Sequence, residues 1–198
     1  MTVVGIVGGS GAGKSLLCAF LEKEGIPCLN TDITARQVVE KGKPCLCELC
    51  EEFGEDILMP DGSLNRKALA EKAFSDPEKH KRLNAITHAY ISKEVLSWIE
   101  AQRLSGKSVC GIDAPLLFES GLDLVCNVTV AVTASEEVRV KRITKRDGIS
   151  REQALLRIKN QKSNEELCRL CDVCVENSGD EAELMEKAAE LVKTVLGR

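Results

Sequence analysis

Residues 8 to 15 decide the fold, and they read Gly8-Gly9-Ser10-Gly11-Ala12-Gly13-Lys14-Ser15. The stretch matches G-x-x-x-x-G-K-[ST], the pattern of a phosphate-binding loop, or P-loop. A P-loop lies between a strand and a helix, and both are indicated here. Residues 2–7 are mostly apolar and β-branched, as in a buried parallel strand. In residues 14–24 apolar side chains recur at helical spacing. The order of strand, loop and helix therefore predicts a working P-loop.

The loop predicts a site for the phosphates of a nucleotide. The first amide N–H groups of a helix lack intrahelical partners, and the helix dipole favours negative charge beside them. Glycines let the backbone wrap closely around an anion because they carry no Cβ. In this motif Lys14 reaches the β- and γ-phosphates, and the Ser15 hydroxyl holds Mg²⁺. The residues expected to contact the nucleotide are Gly8, Gly9, Gly11, Ala12, Gly13, Lys14, Ser15 and Leu16.

Composition describes an ordinary globular protein of one domain. Of the 198 residues, 43% are hydrophobic and 29% are charged, and the chain is long enough to bury a core. No stretch approaches the ~20 apolar residues of a membrane span. The N-terminus enters the first strand without the basic and apolar regions of a signal peptide. We therefore expect a cytoplasmic protein with no membrane association, and nothing in the sequence indicates an obligate protein partner.

The charge is unevenly distributed. A net charge of −4 argues against general nucleic-acid binding, which needs a basic field. Yet residues 139–169 hold ten Lys or Arg and only four Asp or Glu, which indicates cations directed at phosphates. Arg139, Arg142 and Arg146 lie at i, i+3 and i+7 and share one helical face. The alternative is a solvated basic face, but Arg142 and Arg146 are the favoured phosphate clamps.

Ten cysteines are many for this length, and two clusters of them have spacings found in zinc sites. Spacing by three residues is also one face of a helix, and a free cysteine behaves as a small buried hydrophobe. Packing is the favoured interpretation, a structural metal is the alternative, and the cysteines are expected to be reduced thiols. The clusters are Cys45, Cys47 and Cys50, and Cys168, Cys171 and Cys174.

Alternating strands and helices predict a three-layer α/β fold around a parallel five-stranded sheet. The active edge of such a sheet is the carboxyl ends of its strands. Strands are predicted at 2–7, 26–30, 107–113, 127–132 and 173–176. Helices are predicted at 14–24, 32–41, 45–53, 65–74, 77–104, 150–162 and 180–196, with a further helix that Ser135 caps and that ends near Arg146.

Two departures from plain alternation indicate a small-molecule kinase. A helix-rich insert of roughly 70 residues separates the second and third strands, far longer than an ordinary crossover. A basic helical pair follows the fourth strand. We therefore expect a single P-loop kinase domain with three parts. They are a core of residues 1–31, 106–135 and 170–198, a helical substrate-binding insert of residues 32–105, and a helical lid of residues 136–169.

Two carboxylates follow predicted strands. Asp32 lies just past the second strand, where a kinase needs a carboxylate to orient the acceptor hydroxyl and take its proton; the alternative is a helix cap. Asp113 ends the apolar run 109–112 and resembles a Walker-B aspartate, which assists Mg²⁺. Glu119 is either a second acidic group of the site or a solvated loop residue. His88, amid apolar positions of the long helix, is interpreted as structural.

Taken together, these residues resemble the dephospho-coenzyme A kinase family along nearly the whole chain. The P-loop is generic, but the combination of motifs in this order is specific. The resemblance implies a nucleotide-kinase-like fold and transfer of the γ-phosphoryl group of ATP to the ribose 3′-hydroxyl of dephospho-coenzyme A, the last step of coenzyme A synthesis. The motifs are VGGSGAGKS, LNTDITAR, LNAITH, DAPLLFESG, KRITKRDGIS with the later Arg157 and Gln161, and CDVCVENSG.

The resemblance also implies roles for single residues. Asp32 matches the proposed base, and Asp113 matches the aspartate of the D-x-P-L-L-F-E motif. Arg142 and Arg146 match arginines of the lid, and Asn177 matches the loop near the adenine of ATP. We therefore expect Asp32, Lys14, Arg142 and Arg146 to be catalytic, and Ser15 and Asp113 to hold Mg²⁺.

Three positions depart from the family pattern. Asn30 stands where the family often has the first aspartate of Asp-x-Asp, which leaves the base in place. Ala89 follows His88 where the family usually has proline. Arg139 has no dependable counterpart in the family, so it is kept only as a basic neighbour.

Three other functions remain open. A nucleoside or nucleoside-monophosphate kinase would share the P-loop and lid but prefer a smaller acceptor. A GTP-dependent switch is suggested by residues 144–147, which resemble [NT]-K-x-D, but they lie inside the basic helix and the chain has no D-x-x-G motif. A cysteine-based zinc module would hold stoichiometric metal and show no kinase turnover.

Overall fold

A computed structural model describes the chain from residue 1 to residue 196. The chain divides into two compact units. The second unit is Asn30–Trp98, and the remaining described residues form the first. The last two residues of the predicted core segment 170–198 lie outside the described range. Within residues 1–196, no helix is long and apolar enough to cross a bilayer.

The predicted five-stranded sheet is confirmed. Its strand order is β2-β3-β1-β4-β5, and β1 pairs in parallel with both β3 and β4, as β4 does with β5. The central strand is β1, which leads into the P-loop. The loop therefore begins at the middle of the carboxyl edge of the sheet. The strands are β1 Thr2–Val7, β2 Cys28–Asn30, β3 Val109–Asp113, β4 Val128–Thr133 and β5 Val173–Glu176.

Helices follow the strands in the predicted alternation, with short 3₁₀ turns at Glu55–Ile57 and Leu122–Val125. The helices are α1 Lys14–Lys23, α2 Thr31–Gln37, α3 Pro44–Phe53, α4 Arg66–Ala73, α5 Pro77–Leu104, α6 Glu136–Asp147, α7 Arg151–Lys159, α8 Asn164–Leu170 and α9 Glu181–Leu196.

The predicted helix 150–162 is the main error in these assignments. It ends at Lys159, and a separate helix α8 begins at Asn164. The physical reason is Ser163, whose hydroxyl accepts a hydrogen bond from the Glu166 amide at 3.1 Å and so starts a new helix. Ser135 does occupy the N-cap position of α6, but its side chain makes no capping hydrogen bond in the described structure.

Each unit has its own apolar core. In the first unit, Leu17 and Leu21 of α1 and Leu184 of α9 are fully or almost fully buried against strand residues such as Ile6. In the second unit, Leu49 and Ile57 are fully buried with other residues of the insert. Burial of one such side chain contributes about 1.5–3 kcal/mol. The core of the first unit therefore fixes α1, and with it the start of that helix at the P-loop.

Candidate active site

Two glycines of the P-loop, Gly8 and Gly13, lie in close contact with neighbouring residues. Gly13 has a φ of +104°, a left-handed conformation that side chains other than hydrogen strain to adopt. A Cβ there would also clash with the side-chain amide of Asn177. A Cβ at Gly8 would clash with the Val132 carbonyl of the neighbouring strand. The first and last glycines of the motif thus allow close packing as well as the turn.

The side chain of Lys14 folds back onto the P-loop. Its Nζ donates a hydrogen bond to the Gly8 carbonyl at 2.9 Å and lies 3.9 Å from Oδ1 of Asp113. Strand register places Asp113 beside Ile6, directly before the loop. The Asp113 side chain is 7% exposed, so the ion pair lies in a poorly hydrated environment. The structure therefore brings together two of the residues predicted to be catalytic or metal-binding.

The residues proposed for Mg²⁺ have suitable chemistry. Ser15, in the first turn of α1, offers an exposed hydroxyl, and the buried Asp113 offers a carboxylate. Mg²⁺ prefers oxygen ligands and usually takes one or two carboxylates together with phosphate oxygens and water. Lys14 directly precedes Ser15 in the sequence and pairs with Asp113. A hydroxyl and a carboxylate beside a phosphate site fit the cation.

Arg142 and Asn177 both bind the backbone of the P-loop. Arg142 Nη1 donates to the Asn177 carbonyl at 2.9 Å and approaches the carbonyls of Gly11 and Ala12 at 3.3 and 3.5 Å. Asn177 is 3% exposed, and its Nδ2 donates to the Ala12 carbonyl at 2.7 Å. The amide of Asn177 therefore supports the loop, while its expected place near the adenine of ATP stays a prediction.

Arg139 is a residue whose importance the sequence did not reveal. The sequence indicates only a basic neighbour of Arg142, yet Arg139 is 3% exposed and its Nε donates to the Ser10 carbonyl at 2.9 Å. Its Nη2 donates to Oε1 of Gln161 at 2.8 Å. Burial lowers the pKa of its guanidinium below the ordinary value, and Glu136 opposes that shift. The only available signal was its helical spacing from Arg142.

Arg146 lies elsewhere on α6. Its Nε and Nη2 donate to the carboxylate of Asp147 at 2.7 and 3.0 Å, and Arg157 donates to the same carboxylate. These hydrogen bonds, that of Arg146 foremost, lower the pKa of Asp147 to about 2. The shared face of the three arginines is therefore divided: two bind the P-loop and the third pairs with Asp147. A catalytic role for Arg146 stays a prediction.

A cavity of about 230 Å³ opens beside the P-loop. Gly8 and Gly9 form part of its wall, and Glu119 and Lys162 form another part. Lys162 Nζ lies 2.6 Å from Oε1 of Glu119, and this contact raises the pKa of the lysine. Glu119 is thus an exposed half of an ion pair at the cavity wall, and its part as a second acidic group of the site stays a prediction.

The family of the chain is decided by comparison with known proteins. A family model described as dephospho-CoA kinase matches residues 2–183. The chain belongs to the dephospho-CoA kinase family. The resemblance of its motifs to that family is therefore confirmed, as is the predicted fold.

Relatives and solved structures agree with this family. A dephospho-CoA kinase of Corynebacterium glutamicum is 38% identical over 198 residues, covering 100% of this chain and 99% of the relative. One of Listeria innocua is 37% identical over 195 residues, covering 98% and 96%. The crystal structure of a Thermus thermophilus protein superposes with a TM-score of 0.83 at 35% identity, covering 98% and 97%. A shikimate kinase of Acinetobacter baumannii, with a TM-score of 0.52 at 13% identity over 100% and 94%, shares the fold alone.

The departure at position 30 has a structural explanation. Asn30 is the N-cap of α2, and its Oδ1 accepts hydrogen bonds from the amides of Asp32 and Ile33 at 2.9 and 3.2 Å. Asn and Asp are equally good N-caps, so either serves at the first position of Asp-x-Asp. The alternative that Asp32 itself caps the helix is wrong. Asp32 lies exposed in the first turn, and its role as the base stays a prediction.

Ala89, which stands where the family usually has proline, lies within a continuous long helix. Helix α5 runs from Pro77 to Leu104 through Ala89, and His88 is half-buried on it. Asp76 precedes this helix, and its Oδ1 accepts a hydrogen bond from the Glu78 amide at 2.8 Å. The structural interpretation of His88 suits its place in the middle of a regular helix.

The cysteines bring one correction. Among the residues that the structure describes, no three or more His, Cys, Asp or Glu side chains form a group that could hold a metal ion. In the first cluster Cys45 is fully buried while Cys47 is exposed. In the second, Cys168 and Cys174 form a disulfide, contrary to the expectation of reduced thiols. The reason is that the end of α8 and strand β5 bring their Cα atoms to 5.3 Å, within the span of such a bond.

Proposed function

We propose that the chain transfers the γ-phosphoryl group of ATP to the ribose 3′-hydroxyl of dephospho-coenzyme A, with Mg²⁺ as its metal ion. Family membership along residues 2–183 supports a kinase of this acceptor. The single observation that carries the chemistry is Lys14, held between the Gly8 carbonyl and Asp113 at the start of α1. Residence in the cytoplasm is part of the same proposal.

Phosphate binding uses the first turn of α1 and the loop before it. The amides of Lys14 and Ser15 belong to the turn whose N–H groups have no partner within the helix. They face anions favourably because the positive end of the helix dipole lies there. Lys14 exchanges its contacts with Gly8 and Asp113 for the β- and γ-phosphates. Arg142, already in contact with the loop backbone, adds a second positive charge near them.

Ser15 and Asp113 are the residues that would hold Mg²⁺. When bound, the cation neutralises charge on the phosphate oxygens during transfer. The buried Asp113 then has two duties, since it also holds Lys14 in place before the nucleotide arrives.

The acceptor is activated by Asp32. Its carboxylate orients the 3′-hydroxyl and takes the proton as the oxygen attacks the γ-phosphorus in line, and the bond to the β-phosphate oxygen breaks. Residues 32–105 bind the rest of the acceptor. Closure of residues 136–169 brings Arg146 to the transferring group and excludes water, which would otherwise hydrolyse ATP.

A coupled assay of ADP release with a panel of acceptors tests the proposal. Turnover with dephospho-coenzyme A should exceed turnover with nucleosides and nucleoside monophosphates by at least a hundred-fold. Equal or higher turnover with a monophosphate would instead favour a nucleoside-monophosphate kinase. Binding measurements with GTP and ATP in parallel separate the kinase from a GTP-dependent switch, because the switch requires preference for GTP.

A further inference from the structure

Ser10, at the tip of the P-loop, is hydrogen-bonded to two residues of the predicted lid, Arg139 and Gln161. Its amide donates to Oε1 of Gln161 at 2.9 Å, and its hydroxyl accepts from Nε2 of Gln161 at 2.9 Å. Its carbonyl accepts from Nε of Arg139 at 2.9 Å. Arg139 and Gln161 are also bonded to each other, since Arg139 Nη2 donates to the same Gln161 oxygen at 2.8 Å. Every polar group of Ser10 is thereby bonded to Arg139 or Gln161.

The Arg139 guanidinium is a buried cation, and both of the acceptors that its hydrogen bonds reach in the described residues are neutral oxygens. Burial of a charge is costly unless an opposite charge compensates it. The P-loop is the place where the protein receives a nucleotide triphosphate with several negative charges. A cation kept in this position gains a counter-charge when the nucleotide binds.

Packing makes the arrangement tight. A Cβ on Gly9 would clash with the guanidinium of Arg139 and lie 3.0 Å from Oε1 of Gln161. A Cβ on Gly11 would lie 2.8 Å from the Arg139 carbonyl. Two variable positions of the G-x-x-x-x-G-K-[ST] pattern are therefore glycine in this chain because helix α6 lies against them. The loop and the first two turns of α6 form one packed body.

We propose that Arg139 and Gln161 are positioning residues for phosphoryl transfer, which hold the tip of the P-loop through Ser10 in the shape that receives the triphosphate. The proposal rests on the proposed function and adds two residues to its site. It follows that the start of α6 belongs to the phosphate site, whereas its far end, with Arg146 and Asp147, is free of that contact network. Movement of the lid should therefore be confined to the residues between Arg142 and Gln161, because Gln161 is bonded to Ser10 as well.

The test compares the variants Arg139→Met and Gln161→Met with their double variant. Each single variant should raise the KM for ATP about ten-fold and change the KM for dephospho-coenzyme A less than two-fold. The double variant should lose about as much as one single variant, because both residues act through Ser10. Arg139→Lys should recover part of the loss, since an ammonium replaces one of the two hydrogen bonds. Arg151→Met, at an exposed arginine on α7, is the matched control and should behave as wild type.

Direct titration of ATP separates this proposal from the proposed function. A protein that failed to phosphorylate dephospho-coenzyme A would still show the ten-fold loss of ATP affinity in both single variants. Thermal melting identifies a variant that fails to fold, and Gln161→Met, which removes no charge, then carries the test. Wild-type ATP affinity in folded Gln161→Met, or losses that add fully in the double variant, would overturn the proposal.

Discussion

Nδ2 of Asn177 donates a hydrogen bond to the Ala12 carbonyl at 2.7 Å, joining the end of β5 to the P-loop across 165 residues of sequence. The same asparagine accepts Nη1 of Arg142 on its carbonyl at 2.9 Å, and its amide donates to Thr133 at the end of β4. Through its backbone and its side chain, this one buried residue connects the ends of β4 and β5, the loop and helix α6. The geometry of the P-loop therefore depends on residues far from it in the sequence.

Substitution of Asn177 should weaken nucleotide binding and lower stability. Asn177→Ala leaves the buried Ala12 carbonyl without its donor, which costs about 1–3 kcal/mol of unfolding free energy. Asn177→Asp should be worse, because a carboxylate then faces a carbonyl oxygen and neither can donate. Urea unfolding and the KM for ATP check this order. An aspartate variant as stable as wild type would contradict it.

Gly13→Ala should be far more damaging than Gly25→Ala. Both glycines have positive φ, +104° and +76°, so alanine is strained at either position by about 1 kcal/mol or more. Only at Gly13 would the new Cβ also overlap the Asn177 amide, whereas nothing lies within 4 Å at Gly25. Nucleotide affinity measured by titration should fall sharply for Gly13→Ala and stay near wild type for Gly25→Ala. Equal effects of the two substitutions would contradict the packing described here.

Asp147 should remain charged down to very low pH. Its pKa is lowered from 3.8 to about 2, chiefly by the hydrogen bond from Arg146 and further by Arg157. Because the pKa of the folded state lies below that of the unfolded state, its contribution to stability is present above about pH 4 and is lost as the pH falls towards 2. Carboxyl ¹³C chemical shifts should show this titration. A midpoint near pH 4 would mean that the arginines do not hold the carboxylate in solution.

Asp32→Asn should keep nucleotide binding and lose turnover. The amide keeps the size of the side chain but cannot take a proton, and loss of a general base typically costs 10²–10⁴ in rate. The N-cap of α2 is Asn30, so the substitution should leave the helix intact. Single-turnover rates and ATP titration measure the two effects separately. The matched control is Asp61→Asn, at an exposed aspartate of the insert. Turnover within a few-fold of wild type for Asp32→Asn would remove Asp32 from this role.

Local patterns made the sheet, the P-loop and most helices predictable. A P-loop is encoded in eight consecutive residues, and the Lys14 contact with Gly8 spans only six. The supports of the loop are long-range: Arg139 reaches Ser10 across 129 residues, and Gln161 reaches it across 151. Three arginines at helical spacing look alike in sequence, and only packing reveals that Arg139 is buried while Arg146 pairs with its neighbour Asp147.

The cysteine pair was unpredictable for a related reason. Cys168 and Cys174 are bonded because α8 leads directly into β5, and the sequence predicts no helix over the residues of α8. Ser163 is the N-cap of α8, and serine is one of the residues preferred at that position. The cap of α2 was also missed, since the sequence suggests Asp32 for that place and the structure has Asn30, although asparagine is among the best N-cap residues.

The most direct test of the central claim is the position of the phosphate in the product. Wild-type protein with ATP, Mg²⁺ and dephospho-coenzyme A should yield ADP and one product, whose ³¹P spectrum shows a new phosphomonoester coupled to the ribose 3′ proton. Lys14→Met should yield neither. Release of inorganic phosphate without a new ester, or an ester at another position, would contradict the account.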